Sequence, residues 1–161
     1  MSHNYFTGNP PIFGSAHSDL EILHANGNAY SGSVPIVIGE MLTLKELYLH
    51  SNELFGTLSS EIGNLLNISK ITISYNKIKG TIPVQIGNLK QLKLLYLHSN
   101  QLTGAADHFT NYSIESIVSD CGSTATAERL VKCDSCTDCC NQEGEIASLK
   151  RKLGQDTTLK V

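Results

Sequence analysis

A repeat of 24 residues is the feature that most constrains the fold of this chain of 161 residues. Asparagine recurs at that interval, at Asn28, Asn52, Asn76 and Asn100. Glycine does the same, at Gly32, Gly56, Gly80 and Gly104. Repeats of this length are typical of solenoids, in which each coil buries its apolar side chains against its neighbours. The sequence therefore predicts a stack of similar coils.

An alternation of apolar residues lies ahead of each asparagine, as in Leu47-x-Leu49 before Asn52. This period of two is that of a half-buried strand. Stacked coils would pair these strands into one parallel sheet on the inner, concave face. We expect each asparagine of the Asn28, Asn52, Asn76 and Asn100 ladder to turn inward, where its amide bonds backbone groups that the bend leaves unpaired.

The segments LKELYLHSNELFGTLSSEIGNL and LKLLYLHSNQLTG resemble plant-type leucine-rich repeats, whose consensus is LxxLxLxxNxLxGxIPxxIGxLxx. The resemblance implies an α/β-type repeat solenoid, a right-handed superhelix of about four to five turns with one parallel sheet on the concave face. It places the repeats at residues 20–110, after a degenerate half-repeat at residues 1–19. Two departures are visible: Ser59 replaces the proline of Pro35 and Pro83, and the convex half decays after Gly104.

All five cysteines fall in one short segment, at Cys121, Cys133, Cys136, Cys139 and Cys140. The favoured interpretation is a disulfide-linked cap over the exposed apolar end of the solenoid. A zinc site is the second, although adjacent Cys139 and Cys140 fit one tetrahedron poorly. A redox-active Cys133-x-x-Cys136 is the third, and no surrounding βαβ pattern supports it.

The tail also resembles the end of many leucine-rich-repeat proteins of diatoms. Asp120, Cys121 and Gly122 match that pattern, as do the four later cysteines, whereas Ser135 stands where the pattern has a cysteine. This leaves an odd number of thiols. We assign residues 111–142 to a cysteine-rich C-terminal cap and residues 143–161 to a short amphipathic helix with a disordered tail.

The residues between the inward-facing leucines should point to the concave surface. They are the candidate ligand-binding residues His24, Glu46, Tyr48, His50, Lys70, Thr72, Ser74, Tyr75, Tyr96 and His98. Aromatic anchors carry much of the energy of interfaces, but Tyr and Thr are also favoured on strands because they stabilise sheets. Both explanations stay open.

No metal, cofactor or catalytic residue is predicted. His50 and His98 would lie two strands apart, about 10 Å, too far for one zinc ion to bridge. No nucleophile or carboxylate accompanies them at catalytic spacing, so the chain is expected not to be an enzyme. The net charge of -3 disfavours a nucleic acid partner. No apolar run is long enough to span a membrane, and the N-terminus has no signal-peptide pattern.

The resemblance implies a non-catalytic binding module for a protein or glycan ligand, in an extracellular or membrane-associated recognition protein. Two sequons, at Asn67 and Asn111, are glycosylation candidates if the chain is secreted. Two alternatives stay open: an intracellular scaffold with a zinc-binding cysteine tail, and a fragment of a longer leucine-rich-repeat receptor.

Overall fold

The computed structural model describes residues 4–12, 19–105, 114–120, 131–132 and 138–140. The strands are numbered along the chain: β1 Thr7–Gly8, β2 Ile22–His24, β3 Ala29–Gly32, β4 Glu46–Tyr48, β5 Glu53–Leu54, β6 Lys70–Thr72, β7 Lys79–Thr81, β8 Leu94–Tyr96, β9 Gln101–Ala105, β10 Ser116–Asp120, β11 Val131–Lys132 and β12 Asp138–Cys140. Among the described residues, 3₁₀ helices lie at Ile36–Glu40, Ser60–Asn64 and Val84–Asn88.

The even-numbered strands form one six-stranded parallel sheet in chain order, from β2 to β12. Its register follows the repeat, since Leu47 pairs with Leu23 on one side and with Ile71 on the other. The predicted fold class, a repeat solenoid with a parallel concave sheet, is therefore confirmed.

Two further sheets were not predicted. β1, β3 and β5 form one three-stranded parallel sheet, and β7, β9 and β11 form another. Of these, β3, β5, β7 and β9 follow the inward asparagine of their coil, and β5 is only two residues long. Alternation over so few residues gives no readable period, which is why the sequence did not indicate them.

The core is a column of aliphatic side chains. In and next to the coil that contains β4, the buried residues are Leu44, Leu47, Leu49, Leu54, Leu58, Ile62, Leu65 and Ile68. Tyr30 is the one aromatic residue of the core among the described residues. Burying such an aliphatic side chain stabilises the fold by about 1.5–3 kcal/mol, so each coil depends on the neighbours that cover it.

The inward asparagines connect successive coils. The Asn76 amide donates to Leu49 O at 3.1 Å and to Ile73 O at 3.0 Å, while its Oδ1 accepts from Leu54 N at 3.0 Å. Asn52 and Asn100 repeat this pattern one coil earlier and one coil later. Each amide thus bonds carbonyls of its own coil and of the preceding one.

The convex side is built from the 3₁₀ helices. Pro35 and Pro83 precede two of them, and Ser59 precedes the third. Ser59 Oγ accepts from Glu61 N at 3.2 Å, so serine caps the helix with a hydrogen bond where proline fixes only the backbone angle. A Cβ on Gly63 would lie 2.5 Å from Gln85 Cβ, so glycine is required for this close approach of neighbouring coils.

The concave sheet extends into the segment assigned to the cap. Ile117 in β10 is buried, and β12 pairs with β10 so that Cys139 lies opposite Ser119 and Cys140 opposite Asp120. Cys121, Cys133, Cys136, Asn111 and residues 143–161 lie outside the described residues. Disulfide pairing, the zinc alternative and the terminal helix therefore stay predictions. Within the described ranges, no helix is long and apolar enough to cross a membrane.

Candidate functional site

The register of the concave sheet places side chains in rows. His24, Tyr48, Thr72 and Tyr96 pair in sequence across β2, β4, β6 and β8 and form the first row. Because side chains alternate along a strand, the residues two positions later form a second row on the same face. That row contains His50 and His98.

A depression of about 440 Å³ lies in the centre of this face. It is lined by Tyr48, His50, Ser51, Lys70, Thr72, Ser74, Tyr75, Leu94, Tyr96 and His98. The structure thus brings together all the predicted binding residues except His24 and Glu46. Ser51 and Leu94 were missed, although each shares a row with a predicted residue, Ser51 with Tyr75 and Leu94 with Lys70.

The depression exists because the middle coil has small residues where its neighbours have rings. Thr72 and Ser74 form a floor that is only 6% and 4% exposed. On one side stand Tyr48 and His50, one coil earlier, and on the other stand Tyr96 and His98, one coil later. We call this feature the Thr72 notch.

Aromatic contacts fix the walls of the notch. The rings of His24 and Tyr48 are stacked, with centroids 4.4 Å apart and planes 3° apart. On the other wall, the His98 ring meets Tyr75 edge-on at 5.0 Å and Tyr96 at 6.0 Å. His24 therefore supports a wall of the notch without lining it.

Glu46 holds the same wall by hydrogen bonding. The Tyr48 hydroxyl donates to Glu46 Oε2 at 2.6 Å, and Lys70 Nζ lies 3.0 Å from Glu46 Oε1. The hydrogen bonds from Tyr48 and Lys70 lower the pKa of Glu46. Burial, followed by the bond to Glu46, raises the pKa of Tyr48, and the bond to Glu46 raises the pKa of Lys70. The Glu46–Lys70 ion pair is charged at neutral pH, and its two charges cancel.

The two histidines of the notch differ in environment. His50 Nδ1 lies 2.8 Å from Thr72 Oγ1, which directs its ring over the floor. Burial, and to a smaller extent the charge of His50, lower the pKa of His98, so His98 is neutral at physiological pH. Within the described part of the chain, no three His, Cys, Asp or Glu side chains are grouped as metal ligands would be.

Residues 39–102 match the sequence profile described as Leucine rich repeat. The fold is a leucine-rich-repeat solenoid. No curated protein sequence matches the chain significantly.

Several solved leucine-rich-repeat structures are similar to this solenoid. The plant peptide hormone receptor RGFR1 in complex with RGF2 superposes with a TM-score of 0.67 at 30% identity, covering 79% of this chain and 20% of that one. The Arabidopsis receptor kinase HAESA, in complex with the peptide hormone IDA and the co-receptor SERK1, gives 0.64 at 26% identity, covering 83% and 21%. This chain therefore spans about a fifth of the length of those two receptor chains. A plant ice-binding protein shares the fold at 24% identity, with a TM-score of 0.66 and coverage of 74% and 38%.

A left-handed backbone position lies three residues after each of the concave strands β2, β4, β6 and β8. The residue before each asparagine has a positive φ, at Gly27 64°, Ser51 58°, Tyr75 54° and Ser99 57°. This conformation costs a residue with a Cβ about 1–2 kcal/mol. Tyr75 is the bulky exception, and it is 47% exposed beside the notch. Gly27 is the one sequence feature that could have indicated this conformation, because a positive φ favours glycine.

The sequon at Asn67 lies outside the concave face. Asn67 is exposed, and its amide donates to Leu42 O at 2.9 Å on the preceding coil. An N-linked glycan would leave one N–H on that nitrogen, so the bond and the modification are compatible. Glycosylation at Asn67 is therefore still a prediction.

Proposed function

We propose that this chain is a non-catalytic protein-binding module that holds an extended peptide segment of its ligand on the concave face. The observation that carries the proposal is the Thr72 notch, a depression with fixed aromatic walls at the centre of the face. Concave recognition surfaces of this kind are what repeat solenoids use, because curvature presents many side chains to one partner.

The distribution of sequence variation supports the concave face over the convex one. The convex segment Ile62-Gly63-Asn64-Leu65 recurs as Ile86-Gly87-Asn88-Leu89, where packing dictates identity. On the concave face, Glu46, Lys70 and Leu94 occupy one paired row. Positions that packing leaves free to differ are able to encode a partner.

The similar structures support a peptide as the ligand in preference to a glycan. RGFR1 is a peptide hormone receptor in complex with RGF2, and HAESA is in complex with the peptide hormone IDA. By the same comparison we propose an extracellular or membrane-associated location, in which this chain is the recognition part of a receptor-like protein.

A peptide selection tests the proposal. Linear peptides from a displayed random library are selected on the folded protein, and the affinity of each is measured by calorimetry. The concave variant replaces Tyr48, His50, Tyr96 and His98 together with alanine. We expect it to bind at least tenfold more weakly, a loss of about 1.4 kcal/mol or more.

The matched control is a convex variant, Leu42→Ala with Leu66→Ala, because both side chains are more than half exposed. It should bind as the wild type does. Far-UV circular dichroism and the melting temperature should stay close to wild type in both variants. Selected peptides that bind the concave variant normally, or lose affinity for the convex one, would show that the concave face is not the binding surface.

A further inference from the structure

The first concave row contains three aromatic rings and one gap. His24, Tyr48 and Tyr96 occupy three of its four paired positions, and Thr72 occupies the remaining one, between the two tyrosines. Thr72 is smaller than the rings on either side of it, and it is 6% exposed because neighbouring side chains cover it, among them His50, whose Nδ1 lies 2.8 Å from Thr72 Oγ1.

The two rings of this row that occupy adjacent coils, His24 and Tyr48, are stacked. Their centroids are 4.4 Å apart and their planes 3° apart. One face of the Tyr48 ring is thereby covered by His24. The opposite face is directed toward the next position in the row, which is the gap above Thr72.

The spacing of the strands leaves room for one ring between the two tyrosines. Tyr48 and Tyr96 stand two strand spacings apart, about 10 Å between their backbones. A ring inserted midway would lie about 5 Å from each tyrosine, within the range of centroid separations seen in aromatic pairs. The inserted ring would continue the stack that His24 and Tyr48 begin.

The charges around the gap favour a neutral occupant. Lys70 lies 3.0 Å from Glu46, so its charge is compensated. Burial lowers the pKa of His98 and keeps it neutral at physiological pH. Leu94, in the row next to the gap, adds an apolar side chain to the lining. The Glu46–Lys70 pair therefore presents no net charge to the gap, and His98 adds none at physiological pH.

The wall that Tyr48 forms is held in place before any ligand binds. Tyr48 is fixed on one face by His24 and at its hydroxyl by the 2.6 Å bond to Glu46. A ring that is already oriented loses little conformational freedom on binding, which favours affinity.

We propose that the Thr72 notch is a pocket for one aromatic side chain of the ligand, a Trp, Tyr or Phe whose ring stacks between Tyr48 and Tyr96. This inference rests on the proposed peptide-binding function and specifies what the central pocket recognises. His24 and Glu46 act as positioning residues for Tyr48.

The test uses a substitution that places a side chain of the protein itself in the gap. Thr72→Tyr places a ring in the row, where it should stack between Tyr48 and Tyr96 and block the pocket. Thr57→Tyr is the matched control, because Thr57 is exposed and does not line the notch. The probes are the peptides selected on the wild-type protein, each with its aromatic residue intact or replaced by alanine.

We expect the selected peptides to contain an aromatic residue whose alanine replacement weakens binding at least tenfold. The same peptides should bind Thr72→Tyr at least tenfold more weakly and should bind the control Thr57→Tyr as they bind the wild type. Circular dichroism and thermal melting report whether Thr72→Tyr is folded. A second probe pair does not depend on that variant: N-acetyl-tryptophanamide should shift the NMR signals of Tyr48 and Tyr96 in the wild type, and N-acetyl-leucinamide should not.

The outcomes distinguish a failure of the aromatic pocket from a failure of the proposed peptide-binding function. Peptides that lose affinity for the concave variant, but need no aromatic residue and bind Thr72→Tyr normally, would overturn the aromatic pocket and leave the peptide-binding function standing. Equal shifts from the two amide probes would also overturn the pocket. Peptides indifferent to the concave variant would overturn the peptide-binding function itself.

Discussion

Replacing Asn76 with alanine removes one rung of the asparagine ladder. Its Oδ1 accepts from Leu54 N at 3.0 Å, and its amide donates to Leu49 O and Ile73 O. Alanine offers no replacement for any of these bonds. The backbone N–H of Leu54 is consequently left in a partly buried site without its acceptor.

The magnitude follows from which groups lose every asparagine partner. Leu49 O still accepts from Asn52 at 3.0 Å, and Ile73 O still accepts from Asn100 at 3.0 Å. Ser74 O also loses its bond from Asn76, at 3.2 Å, but still accepts from Ser51 N at 3.0 Å, so the Leu54 N–H is the group that loses its partner without a substitute. A buried donor without a partner costs about 1–3 kcal/mol, so this is the expected loss of unfolding free energy.

Urea denaturation followed by circular dichroism measures this loss. Lys77→Ala is the control at the next residue, since its side chain is 59% exposed and its ion pair with Glu53 is on the surface. Exposed pairs contribute about 0–1 kcal/mol. A denaturation midpoint for Asn76→Ala that equals that of Lys77→Ala would refute the inward-asparagine argument.

The shared carbonyl also predicts which double variants are non-additive. Leu49 O accepts from both Asn52 and Asn76, so replacing both leaves it without either donor. We expect the double variant to lose about 0.5–3 kcal/mol beyond the sum of the single losses. Asn52 and Asn100 share no carbonyl, so that pair should be additive. Equal coupling in both pairs would contradict the bonding pattern.

Three further perturbations test packing and charge. Leu49→Ala should cost about 2–5 kcal/mol because Leu49 is fully buried, and Tyr48→Ala clearly less; equal costs would mean that the strand phase is wrong. Gly63→Ala should cost about 1–3 kcal/mol because its Cβ would clash with Gln85, and an unchanged melting temperature would contradict that contact. The lowered pKa of His98 means that below pH about 6.5 the unfolded chain takes up a proton that the folded chain resists. Stability should therefore fall from pH 7.5 to pH 5, and His98→Gln should reduce that fall; an unchanged fall would refute it.

The fold could be predicted from the repeat because a period of 24 residues fixes which residues pair between neighbouring strands. Once Leu47 is taken as inward, the alternation of a strand sends Tyr48 outward, and the repeat carries the same assignment to Thr72 and Tyr96. The solenoid and eight of the ten residues that line the notch could be predicted in this way. The family profile covers the same repeats, at residues 39–102.

Features that depend on contacts between particular side chains could not be predicted from the sequence. The stacking of His24 on Tyr48 and the bond from Tyr48 to Glu46 require knowing how neighbouring rings lean, and the register alone does not fix that. These contacts explain why His24 and Glu46 support the wall and do not line the notch. The left-handed φ of Tyr75 was hidden because a tyrosine at such a position is unusual.

Oxidative side-chain footprinting of the protein with a selected peptide bound is the most direct test that the concave face binds the ligand. Tyr48 and Tyr96 should be protected from oxidation when the peptide is bound. Phe55, which is 53% exposed and does not line the notch, should react equally with and without the peptide. Unchanged oxidation of both tyrosines, with protection at Phe55, would show that the ligand binds elsewhere on the solenoid.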